Sequence, residues 1–258
     1  MEELKVFSAG VAMGVAKDTA EKWNSTHPEF PVKLTFGGSV DLIRRVLAGE
    51  DCDILILADN TIIENMMMPD VTGGYVIFAA NKMVIAATPG NSIDSDNWRE
   101  KLLAPDAKFM HMNPYGDPGG YRAVLAMLLA DKVEEGLSEK LMNHPGHIGM
   151  DPTLTRENMP PFNYMFTYYS GAKKRGMVFA ELPAIMDLSD EALNDVYSSV
   201  SFAVDEEHTV KGSAIFHALT IPYAAKNPVQ AKEFADQFLA SDFNAYGFSP
   251  AKKTVGKF

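Results

Sequence analysis

The chain has 258 residues, 47% of them hydrophobic, which suffices for one large domain or two domains of ordinary size, and we expect two lobes. Its formal net charge of −11 at pH 7 excludes the electrostatic footprint of proteins that bind nucleic acids or anionic membranes. The sequence also contains no apolar stretch of transmembrane length.

Cys52 is the only cysteine, so the chain forms no internal disulfide. It lies in the hydrophobic run Cys52-Asp-Ile-Leu-Ile-Leu, which predicts a buried and inert thiol. The opening residues Met1-Glu-Glu do not form a signal peptide, and the first predicted strand follows at once. We expect a mature secreted protein whose leader is absent from this sequence, although a cytosolic protein would open in the same way.

Hydrophobic patterning in the first third of the chain predicts strands that alternate with helices. The predicted strands are 4–8, 32–36, 53–58, 74–80 and 83–87, and the predicted helices are 15–24, 40–47 and 61–68. This β-α-β-α-β order implies a doubly wound sheet with right-handed crossovers. Ligands of such sheets bind beyond the carboxyl ends of the strands, where the turns at Gly10 and at Gly38-Ser39 fall.

A break at Asn81-Lys82 predicts that the chain crosses into a second lobe, and a strand at 216–221 predicts the return. We therefore assign residues 1–83 and 214–258 to lobe I and residues 84–213 to lobe II. Within lobe II, the pattern predicts helices at 98–103, 123–137 and 170–175 and strands at 164–168 and 178–182. A capped amphipathic helix at 227–239 ends lobe I.

The most informative stretch is the turn Asn113-Pro-Tyr-Gly-Asp-Pro-Gly-Gly-Tyr-Arg122, which lies between an apolar strand-like run and a helix. Asn-Pro and Asp-Pro initiate turns, and two consecutive glycines let the backbone approach a ligand closely. The free N–H groups of the helix start would then favour a bound anion. The alternative interpretation is an ordinary structural turn without a binding function.

Motifs of nucleotide-phosphate binding, dinucleotide binding and serine hydrolysis are missing from the sequence. His144-Pro-Gly-His147 has a spacing that a metal site can use. Because no third ligand lies nearby in the sequence, we interpret this stretch as an exposed loop. The six histidines show no further clustering. What remains is a set of strand-end turns with hydroxyls, free N–H groups and few charges. This pattern is typical of a binding site without an evident nucleophile or base.

Five sequence features together resemble the tungstate/molybdate-binding type of the periplasmic solute-binding proteins of ABC transporters. They are Val6-Phe-x-Ala-Gly10, Gly38-Ser39-Val, Asn97-Trp98 before Leu103-x-x-Pro-Asp106, Asn113-Pro-x-x-Asp-Pro-x-Gly-Tyr-Arg122 and Tyr168-x-Ser-x-Ala-Lys173. The resemblance runs in order over nearly the whole chain. It implies an α/β, type II periplasmic-binding-protein fold with two lobes, each a doubly wound mixed sheet, and a hinge of two crossing strands.

The resemblance also implies the ligand, a molybdate or tungstate anion bound between the lobes, and no cofactor. Two carboxylates would approach the metal of the oxyanion, while hydroxyls and backbone N–H groups hold its oxygens. Carried over by position, Asp117 is the first carboxylate, Ser39 a hydroxyl and Tyr168 the phenol. The remaining implied positions lie in the first turn, at Ser8, Gly10 and Val11, and at Asp151, which would supply the second carboxylate.

Two positions depart from the pattern of the family. Val11 stands where the family has Ser, although Ser8 offers a nearby hydroxyl, and Met150 stands where the family has Glu, with Asp151 beside it. A second hypothesis therefore keeps the fold but assigns a different small anion as the ligand. A third hypothesis, an enzyme with Asp117 as base and Tyr168 as acid, lacks an accompanying nucleophile, metal cluster or cofactor motif.

The resemblance further implies a transport protein without enzymatic activity. We expect a monomer that delivers its oxyanion to a membrane ABC permease and that has no nucleic-acid partner. Its expected location is the periplasm or the outer surface of the cell membrane.

Overall fold

The computed structural model describes residues 2–153 and 158–258. The chain forms two compact units. Unit 1 comprises Met1–Ala80 and Phe216–Phe258, and unit 2 comprises Asn81–Ile215. The chain therefore passes from unit 1 to unit 2 and back, once in each direction.

The strands are numbered in chain order through both units. They are β1 (Leu4–Ala9), β2 (Val32–Gly37), β3 (Ile54–Leu57), β4 (Gly74–Asn81), β5 (Met83–Ala87), β6 (Phe109–Met110), β7 (His147–Ile148), β8 (Tyr164–Tyr168), β9 (Phe179–Glu181), β10 (Ser201–Ala203), β11 (Thr209–Lys211), β12 (Ile215–Thr220) and β13 (Ser249–Gly256). The predicted strands of the first third of the chain are confirmed, with their ends shifted by at most one residue.

The helices are α1 (Met13–Thr26), α2 (Ser39–Leu47), α3 (Thr61–Met66), α4 (Trp98–Leu103), α5 (Pro118–Leu129), α6 (Leu137–Met142), α7 (Tyr169–Lys174), α8 (Ala184–Asp187), α9 (Asn194–Tyr197) and α10 (Pro228–Leu239). Short 3-10 helices occupy Gly10–Ala12, Ala130–Lys132, Glu191–Leu193 and Phe243–Tyr246. Across residues 2–153 and 158–258, none of the helices has both the length and the apolar character needed to cross a bilayer.

Unit 1 is built on a six-stranded sheet of order β13-β4-β12-β3-β1-β2. Strand β1 pairs in parallel with β2 and with β3, and all four residues of β3, an interior strand of the sheet, are buried. Strand β12 runs antiparallel to β3, and β13 runs antiparallel to β4. The carboxyl ends of β1, β2 and β3 consequently share one edge of the sheet.

The core of unit 1 packs α1 and α10 against this sheet. Trp23 of α1 is fully buried, lies edge-on to Phe234 of α10, and donates from Nε1 to the carbonyl of Phe30 over 2.9 Å. The predicted side-chain cap of the last helix is absent, because Asn227 makes no capping bond. Its backbone N–H instead donates to Oδ1 of the buried Asp53 over 2.9 Å, which fixes the start of α10 to the sheet.

Unit 2 contains a five-stranded mixed sheet of order β7-β6-β8-β5-β9. Strand β6 is parallel to β7 and to β8, whereas β5 is antiparallel to β8 and to β9. Phe109 of β6 lies opposite both His147 of β7 and Tyr164 of β8. The segments that leave β6, β7 and β8 therefore emerge at the same edge of the sheet, and they carry the predicted residues of this unit.

The helix predicted at 123–137 is wrong at both ends. Helix α5 begins at Pro118, because Asp117 caps it and proline at the first position suits a helix start. It ends at Leu129 in a 3-10 turn, and Gly136 then adopts a left-handed conformation with φ of +76° before α6. The glycines that look like loop residues in the sequence belong to the first turn of α5.

A small antiparallel hairpin of β10 and β11 was not predicted. The stretch between its strands is polar and lacks the alternation that signals a strand. Asp205 organises the turn, since its Oδ1 accepts the backbone N–H groups of Glu207 and His208 over 3.0 and 2.8 Å. Side-chain bonds of this kind stabilise a hairpin that hydrophobic patterning does not reveal.

Candidate functional site

The predicted residues of unit 1 follow the carboxyl ends of β1 and β2. Ser8 is buried near the end of β1, and its hydroxyl donates to the carbonyl of Ala9 over 3.2 Å. Gly10 and Val11 form the 3-10 turn that follows, with Gly10 exposed and Val11 half-buried against the core of the unit. Val11 therefore contributes packing at this turn rather than a hydroxyl.

Ser39 is the first residue of α2 and is fully buried. Its Oγ accepts a hydrogen bond from the backbone N–H of Ala58 over 2.9 Å, which connects the start of α2 to the chain that leaves β3. A hydroxyl that accepts a hydrogen bond retains its own proton for donation. Ser39 is thus held in place by one partner while remaining able to donate to an anion.

In unit 2, Asp117 is the N-terminal cap of α5. Its Oδ1 accepts the backbone N–H of Gly119 over 2.7 Å, and its backbone N–H donates to the carbonyl of Asn113 over 3.0 Å. The side chain is half-buried. A carboxylate in this position is stabilised both by the unsatisfied N–H groups of the helix and by the helix dipole.

Gly119 brings Asp117 close to Tyr168, the last residue of β8. A Cβ atom on Gly119 would lie 3.1 Å from Oδ1 of Asp117 and 3.5 Å from Cε2 of Tyr168, so both side chains border the space that a side chain would fill. Gly120 is even more tightly enclosed, because a Cβ there would lie 2.3 Å from the carbonyl oxygen of Met112. The two glycines therefore allow the carboxylate, the phenol ring and the first turn of α5 to converge.

Tyr168 is 7% exposed and is the N-cap residue of the short helix α7. The next turn is fixed by a reciprocal pair of bonds, in which Asn81 Nδ2 donates to Ser170 Oγ over 2.7 Å and Ser170 N donates to Asn81 Oδ1 over 3.2 Å. These bonds hold the end of β8 in a defined conformation. The position of Tyr168 is consequently set by the pairing of β8 with β5 and by the bonds between Asn81 and Ser170.

Asp151 lies in the exposed segment that follows β7. Its Oδ1 accepts the backbone N–H and the hydroxyl of Thr153 over 2.8 and 2.7 Å, and these bonds lower the pKa of the carboxyl. The same segment is joined to the Asp117 turn by a bond of 3.3 Å from Asn113 Nδ2 to the carbonyl of Pro152. The side chain of Asn113 thus connects the Asp117 turn to the backbone of the Asp151 segment, while Oδ1 of Asp151 is engaged within its own turn.

The interpretation of the histidines as an exposed loop without clustering is wrong. Nε2 of the fully buried His111 lies 3.0 Å from Nε2 of His147, and the ring of His147 stacks on Phe109. Burial lowers the pKa of His111 to about 4 and also lowers the pKa of His147. The pair is formed by the register of β6 and β7, which spacing in the sequence does not disclose.

Arg122 is a second residue to which the sequence analysis gave no role. It is fully buried on α5, and Nη1 donates to the carbonyl of Ser213 over 2.7 Å. Both Nη1 and Nη2 also bond to Ser213 Oγ, at 3.2 and 3.1 Å. Arg122 therefore anchors α5 to the chain that returns toward β12.

The donor set of these residues suits an oxyanion better than a bare metal ion. No group of three or more His, Cys, Asp or Glu side chains that could hold a metal occurs in the described part of the chain. The predicted positions supply hydroxyls, a phenol, helix N–H groups and a carboxylate at the cap of α5. Cys52 is buried as predicted, and burial raises the pKa of its thiol to about 12, so it takes no part in chemistry at neutral pH.

Comparison with known sequences gives one consistent result. A family model described as bacterial extracellular solute-binding protein matches residues 4–246. A solute-binding protein of Petrotoga mobilis without an assigned ligand is 34% identical over 241 residues, which cover 87% of this chain and 75% of the relative. The molybdate/tungstate-binding protein WtpA of Pyrococcus abyssi is 30% identical over 278 residues, covering 93% of this chain and 80% of the relative.

Solved structures agree on the fold. The periplasmic molybdate-binding protein of Azotobacter vinelandii superposes with a TM-score of 0.69 at 15% identity, covering 96% of this chain and 99% of that protein. The sulfate-binding protein SubI of Mycobacterium tuberculosis superposes with a TM-score of 0.62 at 14% identity, covering 97% and 88%. The mixed β-sheet in each unit and the similarity to these structures confirm the predicted periplasmic-binding-protein fold.

Proposed function

The chain belongs to the bacterial extracellular solute-binding proteins, and from that premise we propose that it binds molybdate or tungstate and delivers the anion to an ABC permease. Members of this family are transport receptors rather than enzymes, so the hypothesis of an enzyme with Asp117 as base and Tyr168 as acid is wrong. The relative from Pyrococcus abyssi, named for molybdate and tungstate, supports the choice of ligand.

The observation that carries the proposal is the convergence of Asp117 and Tyr168 at Gly119. Helix N–H groups and a phenol are suitable donors to anion oxygens, and each such hydrogen bond to a charged group contributes about 1.5–3 kcal/mol. Ser8 and Ser39 are proposed as further donors to the same anion. Because the chain as a whole is negatively charged, these local donors must provide the attraction.

Asp117 supplies the selectivity in this proposal. A carboxylate beside a plain tetrahedral anion is repelled, since two like charges in a partly buried site interact unfavourably. Molybdenum and tungsten differ from sulfur because they can accept additional oxygen ligands, so the carboxylate can bind the metal of the oxyanion directly. Asp117 would therefore attract molybdate and tungstate and disfavour sulfate. Asp151 is the proposed second carboxylate, and because Thr153 bonds to its Oδ1, we propose that Oδ2 binds the metal of the oxyanion.

A second candidate ligand is a different small anion bound by the same fold. Val11 packs into the core of unit 1, and Met150 is likewise apolar, so two of the polar groups that the resemblance implies are missing. A site that lacks one hydrogen-bonding partner discriminates strongly against the ligand that needs it. Small organic carboxylates and phosphates are the alternatives that this candidate predicts.

Isothermal titration with molybdate, tungstate and sulfate tests the proposal. We expect tight binding of the first two anions and no heat with sulfate. Equal affinity for all three anions would contradict the role of Asp117. If all three are silent, a thermal-shift panel of organic anions tests the second candidate.

Members of the family act outside the cytoplasm. We propose that this protein works in the periplasm or on the outer surface of the membrane, as a monomer. Sedimentation of the purified chain with and without molybdate, at micromolar concentration, tests the oligomeric state.

A further inference from the structure

The hydrogen bonds of His111 and His147 require more protons than two neutral rings possess. His111 Nδ1 lies 2.7 Å from the carbonyl oxygen of Met112, and His147 Nδ1 lies 3.1 Å from the carbonyl oxygen of Met142. The two Nε2 atoms lie 3.0 Å apart. Each of these contacts joins two acceptors unless a proton lies between them, and a neutral imidazole carries a single N–H. Three contacts therefore share two protons while both rings are neutral.

The missing proton belongs between the Nε2 atoms. Backbone carbonyl oxygens cannot donate, so each Nδ1 must keep its proton to be held at 2.7 or 3.1 Å from its carbonyl. A separation of 3.0 Å between the Nε2 atoms is the ordinary length of an N–H···N hydrogen bond. One added proton would convert this contact between two lone pairs into a charge-assisted hydrogen bond.

A metal ion fits this gap less well than a proton. Two imidazole nitrogens on a tetrahedral zinc lie about 3.3 Å apart, as follows from bond lengths of about 2.0–2.1 Å. Within residues 2–153 and 158–258, no third His, Cys, Asp or Glu completes a ligand set here. His111 is also fully buried, which leaves no exposed face for additional water ligands on its side.

The pair lies at the base of both segments that carry the predicted carboxylates. His111 is followed by the turn that ends at Asp117, and His147 is followed by Gly149 and the segment that contains Asp151. Gly149, with φ of +132°, packs directly on His111, since a Cβ there would lie 2.7 Å from the carbonyl oxygen of His111 and 2.8 Å from its Nδ1. His111 N also donates to Ile148 O over 3.1 Å.

Few charges act on this pair. The titratable group beside it is His144, in the turn before β7, whose positive form lowers the pKa of His147 after the larger effect of burial. For His111 the causes are burial first, which lowers the pKa to about 4, then the carbonyl of Met112, which raises it, and finally the positive form of His147. No carboxylate is among the causes of either shift. Uptake of the added proton therefore occurs on the acid side of neutrality.

We propose that His111 and His147 are a proton-binding positioning pair, which takes up one proton between its Nε2 atoms and thereby fixes the segments of Asp117 and Asp151 for anion binding. This inference rests on the proposed function. The added proton completes the bond between His111, which follows β6, and His147 of β7, and its positive charge favours an anion held by the segments that follow these strands. By linkage, a bound anion must increase the proton affinity of the pair to the same extent that the proton increases anion affinity.

Two measurements test the pair, and the first needs no anion. Nitrogen-15 shifts of the histidine rings in the ligand-free protein report which nitrogens carry protons. We expect Nδ1 of both rings to be protonated at neutral pH and the Nε2 atoms to gain a proton only at pH values well below 6.5, because burial lowers the pKa of both rings. An Nε2–H tautomer on either ring at neutral pH would overturn the proton assignment, whatever the protein binds.

The second measurement is calorimetric titration with molybdate in buffers of different ionisation enthalpy, which reports the protons taken up per anion. At pH values well below 6.5 we expect the wild type to take up a fraction of one proton per anion, and its affinity to be about fivefold higher than at neutral pH. His147→Gln should abolish both effects, whereas His144→Gln, the same substitution three residues away, should retain them. Equal proton uptake in the wild type and in His147→Gln would refute the coupling. If neither the wild type nor any variant binds molybdate, the proposed function is contradicted. The nitrogen-15 shifts then still test where the protons lie in the histidine pair.

Discussion

The carboxylate of Asp117 and the ring of Tyr168 can lie close together because Gly119, between them, has no side chain. A Cβ on Gly119 would lie 3.1 Å from Asp117 Oδ1 and 3.5 Å from Tyr168 Cε2. Gly119→Ala is expected to push the carboxylate aside by a few tenths of an ångström. Because that shift disturbs its alignment with the anion, molybdate affinity should fall about tenfold, which corresponds to about 1.4 kcal/mol. Gly171→Ala is the control, because its nearest contact is an ordinary 3.9 Å. Equal affinities of the two variants, measured by calorimetry, would contradict the arrangement.

Substitutions of Asp117 separate its structural role from its role in binding. Asn is as good a helix cap as Asp, so Asp117→Asn should unfold in urea at nearly the wild-type midpoint while losing molybdate affinity. Asp117→Ala loses the bond to Gly119 N as well and should cost about 1 kcal/mol of unfolding free energy. If Asp117→Asn kept full affinity and the exclusion of sulfate, the carboxylate would have no part in selectivity.

The two buried serines of unit 1 should differ in their effect on stability. Ser39→Ala leaves the buried N–H of Ala58 without its acceptor and should cost about 1–3 kcal/mol of unfolding free energy. Ser8→Ala removes a donor to the adjacent carbonyl of Ala9 and should cost less. Both variants should bind molybdate more weakly. Unchanged calorimetric affinity in both would remove these hydroxyls from the proposed ligand set.

Asp151→Asn tests the second proposed carboxylate. Because Asn can still accept the bonds from Thr153, the turn should persist and the unfolding midpoint should change little. We expect molybdate affinity to fall by about tenfold or more, since an amide is a weaker ligand than a carboxylate. An unchanged affinity would show that the anion is bound with one protein carboxylate.

Stability should depend on pH through His111. The pKa of its ring is lowered from 6.5 to about 4 in the folded protein, so the unfolded chain binds more protons over that interval. The free energy of unfolding therefore has its full value above about pH 6.5. As the pH decreases toward about 4, it falls by about 3 kcal/mol at most because of His111. Urea titrations across this range measure the slope. A variant with His144→Gln should retain the slope, and a flat profile in the wild type would contradict the burial of His111.

Hydrophobic patterning was sufficient to locate most of the sheet strands. Ile54–Leu57 is continuously apolar and is buried between neighbours as such runs require. Patterning failed at the start of α5, where Pro118 and two glycines suggest a loop although Asp117 caps a helix. The sequence offers a usable signal there, since Asp followed by Pro is a typical helix start.

The His111–His147 pair was beyond the reach of the sequence. Its members are 36 residues apart, and their contact depends on the register in which β6 and β7 align. Register is fixed by the packing of the whole unit, and a spacing of residues does not encode it. The engagement of Asp151 with Thr153 was missed for a related reason, because a local side-chain turn competes with the ligand role that the resemblance implies.

Strand β12 lies between β4 and β3 in the sheet of unit 1, although it comes from the second segment of that unit. During synthesis, unit 2 is complete once residue 215 has been made, whereas unit 1 still lacks an interior strand, α10 and β13. Strand β12 therefore has to pair with β3 and β4 after both of these strands have been synthesised. Contacts of such long sequence separation form slowly. Completion of the sheet of unit 1 is therefore expected to be the slow step in the folding of this chain.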